Sequence, residues 1–321
     1  MQQSFTKADE GHNVIRFISW EYLTLGSAVF LGFYDIAKKT ASRDNAVPPV
    51  LLVNVITSAL IWIPFIVMSL SFPDNLRSSR LSFLSVEPLT QKEHLLLALK
   101  AVIAGTSWIF ALFGMKHLPL SIAAPIRASS PFWTVLVATV WMKESPTMTQ
   151  WLGILVIMLA FRAFSSAGRR EGIIFHQNRW VVCMIAATLL GSLSALYDKY
   201  LLQSANISAA AVQAWFSVYL VGVMLPLNIH WYFRRKSEDR FVWRWSILMI
   251  PILLLVSDFL YFSAIRDPEA MISVVSPMRR TSIIIPFLAG TIFLKEKNFA
   301  LKACCLAAML CGVYIISCVP A

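Results

Sequence analysis

Apolar residues fall along this chain in long runs broken by short polar stretches. A helix needs roughly twenty apolar residues to cross a bilayer. Runs of that length predict spans near 18–38, 48–71, 95–115, 119–142, 147–166, 180–202, 208–232, 244–266, 269–294 and 298–318. The expected class is an all-α polytopic membrane protein with ten transmembrane helices. The break at 72–93, FPDNLRSSRLSFLSVEPLTQKE, is long enough to lie along a membrane surface. A second break, SSAGRREGIIFHQN at 165–178, falls at mid-chain. It divides the chain into a tail (1–17), a first five-helix half (18–166), a linker (167–179) and a second five-helix half (180–318).

The halves resemble each other. An offset of 152 residues carries Ser121 onto Ser273, Pro125 onto Pro277, Arg127 onto Arg279 and Ser130 onto Ser282. It also carries Lys143-Glu144 onto Lys295-Glu296, and a second offset, 163, carries Tyr34-Asp35 onto Tyr197-Asp198. With five spans per half, an odd number, the second half must enter the membrane from the opposite side. The expected architecture is thus two inverted five-helix repeats, a secondary-transporter design whose site lies between the repeats near the bilayer midplane.

Composition strengthens this picture. Hydrophobic residues make up 58% of the 321, charged residues only 14%, and mean hydropathy is +0.67; soluble chains carry about a quarter charged residues. The net charge of +11 therefore does not imply nucleic acid, because most Lys and Arg sit in the short breaks, where they set orientation. Their excess on the side away from the termini places both termini outside the cytoplasm. The first nineteen residues are polar with no short apolar core after them, so the first run is expected to be retained as a helix. The five cysteines lie in apolar segments without paired spacing, which argues against disulfides and metal. Cys304, Cys311 and Cys318 recur every seven residues, as small packing residues on one helix face would. No phosphate loop or H-E-x-x-H occurs, so no enzyme activity and no cofactor is expected.

The candidate chemistry is a set of charges inside the spans. Arg127 falls about 12 Å into its run and Arg279 about 15 Å into its own. A guanidinium at that depth costs roughly 2.5–3.5 kcal/mol and marks a substrate or ion path by default. Arg280 adjoins Arg279, and two neighbouring guanidiniums repel, a poor choice for a purely structural tie. Ser130 and Ser282 follow the arginines in the same frame as candidate substrate contacts. Pro125 and Pro277 each free a carbonyl four residues back and so kink the fourth and ninth spans. Asp258 is the one carboxylate placed deep in a span, either as partner of Arg279 or Arg280 or as a proton-coupling group. Three deep arginines against it leave surplus positive charge, which suits a carboxylate or phosphate on the substrate. Trp108 and Tyr261 are among the aromatics that could shape a pocket for the organic body. Glu144 and Glu296 sit where helices end and read as interface residues.

The fourth span reads LP-x-S-x-A-A-P from Leu118, then S-P-F from Ser130 and K-E at Lys143. With ten spans in two halves, this resembles the drug/metabolite transporter superfamily in its EamA-like branch, over roughly 18–318. The resemblance implies that Tyr34 and Tyr197, on the first helix of each half, line the cavity. The Arg279-Arg280 pair is also similar to the basic pair that holds phosphate in plastid phosphate translocators. The implied function is export of a small anionic or zwitterionic metabolite by alternating access. The implied setting is a bacterial inner (plasma) membrane, with the lipid bilayer as partner and a monomer or homodimer as the assembly. A proton-coupled efflux carrier for neutral or cationic amino acids or drugs, and a flippase for a lipid-linked substrate, remain the alternatives.

Overall fold

The computed structural model describes residues 19–42, 45–79, 81–117, 126, 127, 129–166, 179–234, 240–286, 289 and 299–317, which contain helices and no strand. The longer helices are α1 (Trp20–Ser42), α2 (Val47–Ser71), α3 (Gln91–His117), α4 (Ser130–Val140) and α5 (Met148–Ser166). After the midpoint come α6 (Arg179–Lys199), α7 (Ala209–Arg234), α8 (Trp245–Arg266), α9 (Ile272–Arg280) and α10 (Phe299–Ser317). Five of them, α2, α3, α6, α7 and α8, are long and apolar enough to cross a membrane. Of the expected spans 119–142 and 269–294, the described residues form α4 and α9, while 119–125, 128, 287, 288 and 290–294 lie outside the described residues. The break at 72–93 folds into a short helix, Pro73–Arg77, and a 3-10 turn, Ser82–Leu84. Of the linker expected at 167–179, residues 167–178 lie outside the described residues and Arg179 opens α6.

Local chemistry fixes several helix starts. Thr90 and Glu93 form a capping box ahead of α3: the Thr90 N–H donates to Glu93 Oε2 at 2.7 Å, and the Glu93 N–H returns to Thr90 Oγ1 at 3.4 Å. Thr147 and Gln150 repeat the motif at α5, at 2.9 and 3.3 Å. The outer faces are apolar, with Val140 73%, Trp141 84% and Phe233 80% exposed. Side chains like these, with aromatics at helix ends, suit a lipid surround better than water.

The helices form two units, Met1–Val102 with Tyr200–Pro268 and Ile103–Lys199 with Glu269–Ala321. Each unit takes segments from both sequence halves. In the first, α1 packs on α8 and α2 on α7. Ser27 and Ser257 meet there at 3.2 Å between hydroxyls, and a Cβ on Gly26 would stand 3.3 Å from Leu260. In the second, α4 packs on α9 and α5 on α10, while Ser107 of α3 donates to the Ala187 carbonyl of α6 at 2.7 Å.

The α5–α10 contact is backbone-close. A Cβ at Gly312 would come 2.7 Å from Ile157 Cγ1 and 2.9 Å from the Gly153 carbonyl, so only glycine fits. Gly312→Ala is expected to lower stability by roughly 1–3 kcal/mol through overpacking. Gly222→Ala, with open space around the added methyl, is expected to be neutral or mildly stabilising. Thermal unfolding of both variants in one detergent checks this, and equal midpoints would refute the close approach. Cys304 and Cys311 are exposed, so the seven-residue cysteine stripe does not pack against protein at those two positions.

Candidate functional site

Two helices of the second unit carry most of the expected site, and both are interrupted beside arginine. α4 starts at Ser130 with Pro131 in its first turn. Ahead of it, Ile126 and Arg127 form a helical fragment. The chain then turns at Ser129, whose backbone N–H and hydroxyl donate to the Ile126 carbonyl at 3.1 and 2.7 Å. Pro131 has no N–H for the Arg127 carbonyl four residues back, so the helix cannot run regularly through this point.

The same happens in α9. After Arg280 it tightens to a 3-10 turn over Thr281–Ile283, and the Thr281 hydroxyl donates to the Met278 carbonyl at 2.7 Å. Pro286 cannot donate to the Ser282 carbonyl. Ser130 and Ser282 correspond under the repeat, so the two helices break at matching places. The kink expected at Pro125 lies outside the described residues, and Pro277 is buried within α9. The interruptions among the described residues stand beside Pro131 and Pro286.

Side chains link the broken ends. Arg280 Nη2 donates to Ser130 Oγ at 3.2 Å. Ser130 Oγ lies 3.2 Å from Ser192 Oγ on α6, and the Ser192 hydroxyl sits 3.0 Å from the Ser130 carbonyl. Both serines are buried, while Arg279 and Arg280 are half-buried and Arg127 is exposed. Ser282 is buried, and Trp108 and Tyr197 are half-buried in the same unit. Tyr34 and Tyr261 belong to the first unit and are covered. Lys38 lies 5.3 Å from the Tyr34 ring centroid, and Tyr261 tilts against Phe262 at 5.5 Å.

Glu144 fixes where α9 begins. The left-handed backbone at Lys143 (φ 56°) reverses the chain after α4 and returns the Glu144 N–H to the Ala138 carbonyl at 3.2 Å. The nearly buried Glu144 carboxylate then accepts the N–H groups of Ile272 and Ser273, each at 2.9 Å, together with the Ser273 hydroxyl. These are orphan donors at the start of a helix, where negative charge is favoured. Lys199 closes the set with its Nζ 2.5 Å from Glu144 Oε1. Glu144 is thus an interface residue, as expected, and Lys199 pairs with it.

The sequence pattern gave no prominence to Lys100. In α3 its side chain is only 2% exposed, and its ammonium lies 4.5 Å from the Phe216 ring centroid and 4.8 Å from that of Phe262. A lone lysine in HLLLALKAVIAG was the available signal. Ser192 offered no signal, since serine is ordinary in membrane helices. Among the described residues no group of His, Cys, Asp and Glu could hold a metal ion.

Comparison with known proteins comes down to a fold and a family. A solved crystal structure superposes with a TM-score of 0.68 at 13% identity, covering 92% of this chain and 95% of its own, a likeness of fold alone. No curated protein matches the chain. The family model that matches is that of EamA-like transporters, over residues 18–165, the first of the two halves read from the sequence. Over residues 18–165 the chain is thus similar to the EamA-like transporter family of the drug/metabolite transporter superfamily.

Proposed function

We propose that this membrane transporter moves a small anionic or zwitterionic metabolite by alternating access through ten spans in two inverted repeats. The observation that carries the reading is the matched interruption of α4 and α9, each beside an arginine, with Arg280 bonded across to Ser130. Paired broken helices are where transporters of this design hold their cargo. The packing supports the inverted repeat: α2 meets α7, α4 meets α9 and α5 meets α10, each a helix with its counterpart. The α1–α8 contact likewise has its counterpart in α3–α6. An exposed Arg127 at span depth is tolerable where it faces water, and an aqueous path to an anion provides that. Arg279 and Arg280 receive the carboxylate or phosphate, Ser130 and Ser282 add hydroxyls, and Trp108 and Tyr197 flank the organic body. Export from a bacterial cell is the direction the family resemblance suggests.

The test begins with thermal-shift screening of carboxylate and phosphate metabolites against purified protein. The best stabiliser is then radiolabelled for counterflow in liposomes. Saturable, counterflow-stimulated uptake is the expected result. Stabilisation and transport confined to cations lacking any anionic group would overturn the reading.

A further inference from the structure

We propose that His117, Trp180 and Arg179 form a binding site for the phosphate of an anionic phospholipid, where α3 ends and α6 begins. The proposal rests on the membrane assignment and goes beyond the anion reading of the substrate, on which it does not depend.

The site begins with a close approach of two helices in the second unit. Gly114 stands in the last turn of α3, and a Cβ there would come 2.7 Å from Met184 Cε and 3.5 Å from the Trp180 carbonyl of α6. With no side chain in the way, rings from both helices meet beside it. The His117 imidazole lies flat on the Trp180 indole, with centroids 3.7 Å and planes 3° apart, and Phe113 stacks on that indole at 6.4 Å. His117 Nδ1 lies 2.9 Å from the Phe113 carbonyl. A carbonyl only accepts, so Nδ1 carries a proton and Nε2 is the nitrogen left for a ligand. Arg179 adds its guanidinium carbon 4.6 Å from the Trp180 ring centroid, where a ring face attracts a cation. One indole thus holds two basic side chains from different helices, and both of them are exposed.

Level and charge identify the ligand. The part of α3 that is apolar enough to cross a membrane ends at Gly114, and that of α6 starts at Arg179. His117 lies three residues farther on, about 4.5 Å along the helix. The cluster therefore stands where hydrocarbon gives way to headgroups, the level that tryptophan favours. No Asp or Glu occurs from Ile103 to His117 or from Arg179 to Tyr197, so neither stretch supplies a countercharge. A phosphate does: the guanidinium fork takes two of its oxygens, and a protonated His117 Nε2 donates to another. Below the site Val182, Ile185 and Leu189 are exposed at helical spacing down α6, an apolar track for an acyl chain. Both basic residues flank connections on the side richer in Lys and Arg, the cytoplasmic side by that count, whose leaflet carries anionic lipid.

Native mass spectrometry of the full chain tests this, with phosphatidylglycerol and phosphatidylcholine of the same acyl chains added in equal amounts to the micelle. The expected result is preferential retention of phosphatidylglycerol, reduced about fivefold in Arg179→Gln, the ratio that one basic residue near an anionic surface contributes. His117→Gln is expected to reduce it as well, and should either variant fail to fold, the other reads the same site. Arg240→Gln removes an exposed cation of the α7–α8 connection, expected on the same side but outside the site, and should leave the preference unchanged. Equal retention of the two lipids, a preference untouched by Arg179→Gln and His117→Gln, or an equal loss in Arg240→Gln overturns the proposal. Displacement of phosphatidylglycerol by excess inorganic phosphate would make this a site for soluble phosphate and overturns the lipid assignment. None of these readouts involves transport, so failure here leaves the anion reading intact, and failed anion counterflow leaves the lipid site intact.

Discussion

Replacing Arg280 with glutamine is expected to weaken anion binding ten- to a hundredfold while the protein still reaches the membrane. Losing a charge-assisted bond to a buried anion costs roughly 1.5–3 kcal/mol, which is that ratio. Arg280→Lys keeps the charge but loses the planar fork, so its loss should be smaller yet measurable. Arg280 also bonds Ser130, so the variant alone does not separate binding from helix tying. Ser130→Ala helps to separate them, because it removes that tie and one neutral hydroxyl contact but leaves the guanidinium. If Arg280 serves the substrate, Ser130→Ala should affect affinity far less than Arg280→Gln. Equal losses would return Arg280 to a structural role. The same glutamine substitutions at Arg127 and Arg279 are expected to weaken binding as well, and thermal-shift titration with the best stabilising anion measures all three.

What the sequence could reveal follows from the range of the interactions involved. α2, α7 and α8 are legible because each is a continuous apolar run, and their ends fall within a few residues of the expected spans. Kinks were expected at Pro125, which lies outside the described residues, and at Pro277, which lies within α9; the interruptions described in α4 and α9 stand beside Pro131 and Pro286. A proline shows where a bond is missing, while the place where the helix yields depends on what the freed ends can bond. At Ser129 the local turn supplies those bonds, and at Thr281 its hydroxyl does. The arginines were legible as charges in lipid, but the Arg280–Ser130–Ser192 link joins three helices and no local pattern encodes it. Tyr34 and Tyr261 were named as pocket residues; both are covered in the first unit, and an aromatic at helical spacing does not reveal what packs on it. Lys100 was overlooked for a similar reason: its distinction is burial beneath two rings from helices more than a hundred residues away.

Glu144→Ala is expected to be among the most destabilising single changes outside the apolar core, roughly 2–4 kcal/mol, and to impair transport with it. The carboxylate holds two backbone N–H groups, a hydroxyl and an ammonium at once. Without it the start of α9 loses its cap, and Lys199 loses its countercharge; breaking a buried pair from one side costs several kcal/mol. Lys199 remains partly exposed and can turn to water, which keeps the figure toward the lower part of that range. Glu144→Gln retains an acceptor for the helix start but gives up the charge, so it should fall between wild type and alanine. Lys199→Met should cost less than Glu144→Ala, because it leaves the Ile272 and Ser273 N–H groups satisfied. Thermal unfolding of the three variants in one detergent gives the order directly. If Lys199→Met matched Glu144→Ala, the ion pair would carry the whole effect and the capping of α9 would contribute nothing. If the predicted order holds, α9 is set in place by a residue that follows α4, and any substitution loosening that cap should also disturb the Arg280–Ser130 contact that α9 carries farther along.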